Sequence, residues 1–108
     1  MNYKILTISI FDKQAKRLAK KYPSLKSDLL ELATSLSENP EQGDALGNNF
    51  FKVRMAIKSK NKGKSGGARI ITYVKIIDTT VFLTTIYDKS EYDTISTEAL
   101  EDLFKLIS

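Results

Sequence analysis

Hydrophobic and polar positions alternate at the start of the chain and then change to a helical spacing. Residues 3–10 are rich in β-branched side chains with a period of two, which predicts a strand with one buried face. Apolar residues next recur at intervals of three and four among lysines, which predicts an amphipathic helix that ends at Pro23. Another apolar stripe predicts a second helix to about Glu38, so the two helices form a hairpin. The stripes consist of Phe11, Ala15, Leu18 and Tyr22, and of Leu25, Leu29, Leu32 and Leu36.

The middle of the chain predicts a loop followed by three strands. Residues 39–49 are dense in Asn, Pro and Gly and predict the longest irregular stretch. Residues 50–58, 68–77 and 80–88 predict consecutive antiparallel strands, the first two joined by a flexible Lys/Gly turn over 59–67. The first strand directs Phe51, Val53, Met55 and Ile57 toward the helices and Lys52, Arg54, Ala56 and Lys58 outward. In the second strand, one face consists of Arg69, Ile71, Tyr73 and Lys75.

A C-terminal helix completes the order β-α-α-β-β-β-α. It begins at about Ser96 or Thr97, and its apolar side is flanked by acidic residues near the N-terminal end, where the helix dipole favours them. We therefore expect an α+β fold in one domain over residues 1–108, with the helical hairpin packed on a small, mostly antiparallel sheet. The amphipathic last helix either packs on the sheet or is displaced by a partner, and the sequence leaves both open.

Composition limits the possible chemistry. The 108 residues contain neither Cys nor His, which excludes a thiolate nucleophile, a Ser–His pair and a zinc site of the usual ligand type. The carboxylates are scattered without a calcium-loop motif, so we expect no metal. The alternating N-terminal segment is unlike a signal peptide, and no apolar run approaches the roughly 18 residues that span a bilayer. These features favour a cytoplasmic protein that does not enter membranes.

Positive charge is concentrated in the middle of the chain. Residues 45–77 contain eight Lys or Arg and no Asp or Glu, whereas the whole chain carries a net charge of only +4. Lys52, Arg54 and Arg69 project from adjacent strands, and we infer that they project onto the same open face of the sheet. Such a face is either a solvated surface or an anion-binding site. The absence of acids from the stretch favours the anion site.

Several short segments together resemble the toxins of the RelE/ParE superfamily from type II toxin–antitoxin modules, in the branch that includes RelE-like and HigB-like proteins. The resemblance covers nearly the whole chain, and the combination of GKSGGAR, a strand and IYDKSE contributes most to it. The segments are Lys21 to Leu25 with Asp28 and Leu29, Asn39 and Pro40 with Gly43 and Leu46, Lys52 to Arg54, Gly63 to Tyr73, and Ile86 to Glu91.

The resemblance implies a RelE-like fold and an mRNA endonuclease that acts in the A site of the 30S ribosomal subunit. In that family the 2′-OH of the RNA attacks the adjacent phosphate, with no cofactor, and a cognate antitoxin neutralises the enzyme. Binding to operator DNA is implied only indirectly, through the antitoxin. The alternatives are a ParE-like inhibitor of DNA gyrase and an inactive toxin homologue that acts as a binding module.

The resemblance also implies roles for particular residues. Lys52, Arg54, Arg69 and Lys89 match cations that surround the scissile phosphate, although Ser90 stands where several relatives have an arginine. Tyr87 and Tyr92 are both candidates for a tyrosine that assists proton transfer. The residues expected to bind RNA without reacting are the turn residues Lys58, Lys60, Lys62 and Lys64, together with Tyr73, which either stacks on a base or simply packs. The basic face of the first helix either extends this surface or only solubilises the protein.

Overall fold

A computed structural model describes residues 2–91 and 94–107 of the chain. It contains a five-stranded sheet, three α-helices and one short 3₁₀-helix. The elements are β1 (Lys4–Thr7), α1 (Ser9–Lys21), α2 (Leu25–Glu38), β2 (Asp44–Gly47), β3 (Phe50–Met55), the 3₁₀-helix (Lys58–Lys60), β4 (Ala68–Lys75), β5 (Thr80–Asp88) and α3 (Thr97–Ile107). The expected α+β fold and its order of main elements are therefore confirmed.

The sheet has the strand order β1-β5-β4-β3-β2. The predicted meander of β3, β4 and β5 is present. Among the described strands, β1 runs parallel to its neighbour, β5, and the other neighbouring pairs are antiparallel. A parallel neighbour requires a crossover connection, and the segment between β1 and β5 provides it through the helical hairpin and the other strands. The sheet is thus mixed but mostly antiparallel, as the alternating patterns predict.

One strand lies within the stretch that the sequence predicts to be irregular. Residues Asp44–Gly47 form β2, which pairs with β3 through a register irregularity between Ala45 and Gly47. Asn48 and Asn49 connect the two strands with φ values of 53° and 67°. Positive φ at two successive residues is typical of a tight two-residue hairpin turn, and asparagine tolerates it better than most residues. The Asn-Asn pair was therefore a hairpin signal rather than a continuation of the loop.

The sheet has apolar groups on both faces. The helical hairpin covers one face through a core that includes Leu18, Leu25, Leu36, Ile70 and Ile86, all at most 1% exposed. On the other face, α3 packs through Leu103 against Phe50, Ile71 and Tyr87. The face predicted to be open is therefore partly covered by α3. Among residues 2–91 and 94–107, no helix is long and apolar enough to cross a membrane.

Candidate functional site

The predicted cationic residues of β3 and β4 share one face of the sheet. Arg54 is directly opposite Arg69 in the β3–β4 ladder, and Lys52 is opposite Ile71. Directly opposed residues of antiparallel strands point to the same side, so Lys52, Arg54 and Arg69 lie on the α3 side of the sheet. They differ greatly in exposure: Arg54 is exposed, Lys52 is half-buried and Arg69 is buried.

A small cleft brings two of these cations together with a third from the turn before β4. We call it the basic cleft; it has a volume of about 180 Å³ and is lined by Gln42, Gly43, Asp44, Lys52, Val53, Arg54 and Lys64. Three cations and one carboxylate leave an excess of positive charge there. Such a cleft attracts a phosphate group, because the low-dielectric walls strengthen its attraction to the lining charges.

An acidic residue that the charge pattern did not predict partly balances the positive charge of the basic cleft. Asp44 lies opposite Lys52 in the β2–β3 ladder, and its Oδ2 is 3.9 Å from Nη2 of Arg54. Both side chains of this ion pair are more than half exposed, so it is weak and easily exchanged for another anion. Asp44 lies just outside the basic stretch of residues 45–77. Its place beside Lys52 could not be predicted, because strand β2, to which it belongs, was not recognised in the sequence.

Gly43 brings the loop backbone against β3 at Lys52. Its φ is +97°, and a Cβ added there would lie 2.5 Å from the carbonyl oxygen of Lys52. Any larger residue would therefore clash with the backbone of β3 as well as adopt an unfavourable conformation. Gly43 fixes the wall of the basic cleft next to Lys52.

Arg69 was predicted to project onto an open face, but it is buried. The residue is 3% exposed, and its guanidinium donates to carbonyl oxygens of the turn before β4. Nη1 donates to Lys64 at 3.1 Å and Nη2 donates to Ser65 at 3.1 Å. Arg69 thus supports the turn that carries Lys64 and contributes its positive charge from below the surface.

The other predicted catalytic residues lie at the end of β5 or after it. Tyr87 is opposite Arg69 in the β4–β5 ladder, and it is 1% exposed within the apolar cluster under α3. Lys89 is exposed, and its backbone N–H donates to Gly67 O at 3.0 Å. Tyr92 lies outside the described residues.

The four turn lysines expected to bind RNA without reacting have different surroundings. Lys58 pairs with Glu31 at 2.6 Å, and this hydrogen bond raises the pKa of Lys58. Lys60 pairs with Asp88 at 2.5 Å, and its side chain is only 11% exposed. Lys62 and Lys64 are exposed. Lys60 therefore differs from the exposed turn lysines, because the buried carboxylate of Asp88 binds its ammonium group.

Tyr73 packs within a group of aromatic rings. Its ring centroid lies 5.1 Å from that of Phe50, 5.8 Å from that of Phe104 and 6.4 Å from that of Phe82. These contacts match the packing role that the sequence left open. Rings at such distances and inclinations stabilise one another, which fixes Tyr73 beneath α3.

A buried polar cluster at the end of β5 went unrecognised in the sequence. We call it the Asp88 cluster; it comprises Tyr22, Lys60 and Asp88. Burial opposes ionisation of Asp88, but hydrogen bonds from Lys60, Tyr22 and Ser90 outweigh it and hold the pKa of the carboxyl well below its usual range. The hydrogen bond to Asp88 in turn raises the pKa of Tyr22. The sequence offered only the apolar spacing of Tyr22, which suggested an ordinary core residue.

Comparison with known proteins identifies the family. The chain belongs to the RelE toxin family, because residues 6–108 match the model of the RelE toxin of the RelE/RelB toxin–antitoxin system. No curated protein sequence matches the chain.

Solved structures with the same fold include two of the E. coli toxin RelE. A mutant in the free state has a TM-score of 0.67 and 15% identity, with all of both chains covered. The isolated toxin has a TM-score of 0.61 and 15% identity, covering 96% of this chain and 98% of that one. The intact E. coli RelBE toxin–antitoxin complex has a TM-score of 0.50 and 17% identity, covering 80% and 95%. At these identities the likeness concerns the fold.

Proposed function

We propose that this chain is the toxin of a type II toxin–antitoxin module and that it cleaves mRNA in the A site of the 30S ribosomal subunit. The observation that carries the proposal is the basic cleft, in which Lys52, Arg54 and Lys64 line a space of about 180 Å³ that is large enough for a phosphate group. Membership of the RelE toxin family supports the same reading. The reaction takes place in the cytoplasm and requires neither a metal nor a cofactor.

The proposed chemistry is an internal displacement at phosphorus. The 2′-oxygen of the RNA bonds to the adjacent phosphorus while the bond to the 5′-oxygen breaks, leaving a 2′,3′-cyclic phosphate and a 5′-OH. A base takes the proton from the 2′-OH and an acid supplies one to the 5′-oxygen. Negative charge grows on the phosphoryl oxygens in the transition state, and fixed cations stabilise it most effectively when they are already in position.

We assign charge stabilisation to Lys52 and Arg54, with Lys89 as a third cation from the end of β5. Arg69 contributes charge from beneath the cleft and holds the backbone of Lys64 and Ser65. Proton transfer falls to one of two tyrosines, Tyr87 or Tyr92, and the burial of Tyr87 favours Tyr92. Lys58, Lys62 and Lys64 then contact RNA phosphates around the cleft.

A cognate antitoxin is the proposed protein partner, as in the E. coli RelBE complex. Contact with operator DNA is then indirect, through the antitoxin. No contact with a membrane is part of this function.

The test is cleavage by the purified chain on ribosomes that hold a defined mRNA. We expect cuts within the A-site codon, mapped by primer extension, and cyclic phosphate at the new 3′ ends. The Lys52→Gln, Arg54→Gln double variant should lose this activity. Lys26→Gln, which removes an exposed lysine of α2, should keep it. Inhibition of DNA gyrase without mRNA cleavage, or neither activity, would contradict the proposal.

A further inference from the structure

Three separate elements meet at the Asp88 carboxylate. Tyr22 directly follows α1, Lys60 ends the 3₁₀-helix and Asp88 ends β5. The hydroxyl of Tyr22 donates to Oδ2 of Asp88, and Nζ of Lys60 donates to Oδ1 at 2.5 Å. The Asp88 side chain is fully buried. The cluster therefore lies mostly inside the protein, with only a small part of Lys60 exposed.

The same carboxylate also holds the backbone that follows β5. Ser90 N–H donates to Oδ1 of Asp88 at 3.0 Å, and Lys89 N–H donates to Gly67 O at 3.0 Å. Lys89 thus lies between two backbone restraints. Asp88 is the last residue of β5 and lies opposite Ala68, which belongs to the core beneath the helical hairpin, so its side chain faces the hairpin.

Gly67 connects this backbone to the turn that carries Lys64. A Cβ added to Gly67 would lie 2.1 Å from Met55 O, so the turn backbone is pressed against the end of β3. Nη1 of Arg69 donates to Lys64 O from the other side. The positions of Lys64 and Lys89 are therefore linked through a few backbone contacts.

The lysine of the cluster is itself held in place. Lys58 N–H donates to Oδ2 of Asp28 at 3.1 Å, and Ser59 N–H donates to Oγ of Ser24 at 2.8 Å. These bonds anchor the 3₁₀-helix to the start of α2. Lys60 is consequently presented to Asp88 from a fixed segment rather than from a flexible loop.

We propose that the Asp88 cluster is a positioning device for the basic cleft: Tyr22 and Lys60 orient the Asp88 carboxylate, which fixes the backbone of Lys89 beside the turn that carries Lys64. None of the three residues touches RNA in this arrangement. The inference rests on the proposed function for its catalytic consequence, and its structural part stands independently of ribosomal cleavage.

The decisive variant is Tyr22→Phe, which removes one donor to Asp88 and keeps the ring. We expect the single-turnover cleavage rate on saturating ribosomes to fall about tenfold, with ribosome affinity unchanged. Asp88→Asn keeps an acceptor for Ser90 but loses the charge that binds Lys60. Its single-turnover cleavage rate should be lower still, about 100-fold below that of the wild type. Lys75→Met is the matched control, because it removes an ion-paired lysine at the far end of β4.

A double-mutant comparison separates positioning from general destabilisation. If the cluster acts through Lys89, Tyr22→Phe should have no further effect on the rate in a Lys89→Gln background. Independent, multiplicative losses in the double variant would overturn the proposal. Unchanged cleavage by both Tyr22→Phe and Asp88→Asn would overturn it as well.

Amide hydrogen exchange tests the structural part without any ribosome. Exchange at Ser90 and Lys89 should accelerate in Tyr22→Phe, whereas amides in the middle of β4 should keep their protection. If the wild-type chain fails to cut mRNA but this local acceleration is seen, the proposed function fails and the positioning of residues 89–90 stands. Unchanged exchange at both amides overturns the positioning proposal.

Discussion

The basic cleft and the Asp88 cluster lie on opposite faces of the sheet, at neighbouring positions along β3, β4 and β5. Their charged residues differ in burial and in pairing. Arg54, Arg69 and Tyr87 are aligned across β3, β4 and β5, and the next aligned set is Met55, Ala68 and Asp88. In the cleft, cations outnumber acids and remain open to solvent. In the cluster, one lysine and one aspartate neutralise each other where the aspartate is fully buried and the lysine is only 11% exposed. The difference shows that burial and pairing, rather than residue type, decide whether a lysine is free to bind an anion.

The largest effect is expected for a substitution in the buried Asp88 cluster. Asp88→Ala leaves Lys60 and the Tyr22 hydroxyl without their acceptor, and we expect a loss of about 3–5 kcal/mol in the free energy of unfolding. Urea denaturation measures it. The matched control is Lys75→Ala, which breaks the exposed pair with Asp78 and should cost less than about 1 kcal/mol. Equal losses of stability in the two variants would show that the buried pair of Lys60 and Asp88 stabilises the protein no more than an exposed pair does.

The same carboxylate should make stability depend on pH. Because the pKa of Asp88 is lower in the folded protein, its contribution is complete above the unfolded-state value of about 3.9 and is lost as the pH falls toward the folded value. We expect the free energy of unfolding to fall more steeply below about pH 5 in the wild type than in Asp88→Asn. Asp78→Asn, at an exposed ion pair, should follow the wild type. If the free energy of unfolding fell with pH equally in the wild type and in Asp88→Asn, Asp88 would not be the source of the acid dependence.

Substitutions in the basic cleft should affect activity more than stability. Removing both charges in Lys52→Gln, Arg54→Gln should lower the single-turnover cleavage rate by about 100-fold or more, because the transition state loses two cations. The free energy of unfolding should change by less than about 1 kcal/mol, since Arg54 is exposed and its ion pair is weak. A large loss of stability would show that the cleft is a structural element like the Asp88 cluster.

Gly67→Ala tests the contact that joins the two regions. Its Cβ would overlap Met55 O and force β3 and the turn apart, so we expect a loss of about 1–3 kcal/mol in the free energy of unfolding. Gly63→Ala is a useful comparison, because nothing lies within 4 Å of its Cβ, although its φ of +65° adds some strain. If Gly67→Ala were no more destabilising than Gly63→Ala, the turn would not be pressed against β3.

The smallest expected effect belongs to Lys62 at the exposed turn. Lys62→Ala should weaken ribosome binding modestly and reduce the slope of log affinity against log salt by about one, with the rate at saturation unchanged. Lys26→Ala should change neither quantity. A fall in the saturating rate of Lys62→Ala would place this lysine among the reacting groups.

Local patterns predicted much of the fold. Alternation located β3, β4 and β5, and the spacing of leucines located the helical hairpin, because each pattern reflects which side of one element is buried. The strand β2 was missed because four residues next to an Asn-Asn turn carry little periodic signal, and pairing with β3 determines their conformation.

The sequence alone determined that Lys52 and Arg54 share a face, since a period of two follows directly from strand geometry. The position of Arg69 on that same face depends on the register of β3 and β4, in which Arg69 lies opposite Arg54. Only the tertiary structure decided what each charge does. It buried Arg69 beneath the turn, supplied Asp44 to the cleft from β2 and joined Lys60 to Asp88 across 28 residues of chain. Such pairings depend on which distant segments meet at one end of the sheet, and nothing in the spacing of neighbouring residues encodes that meeting.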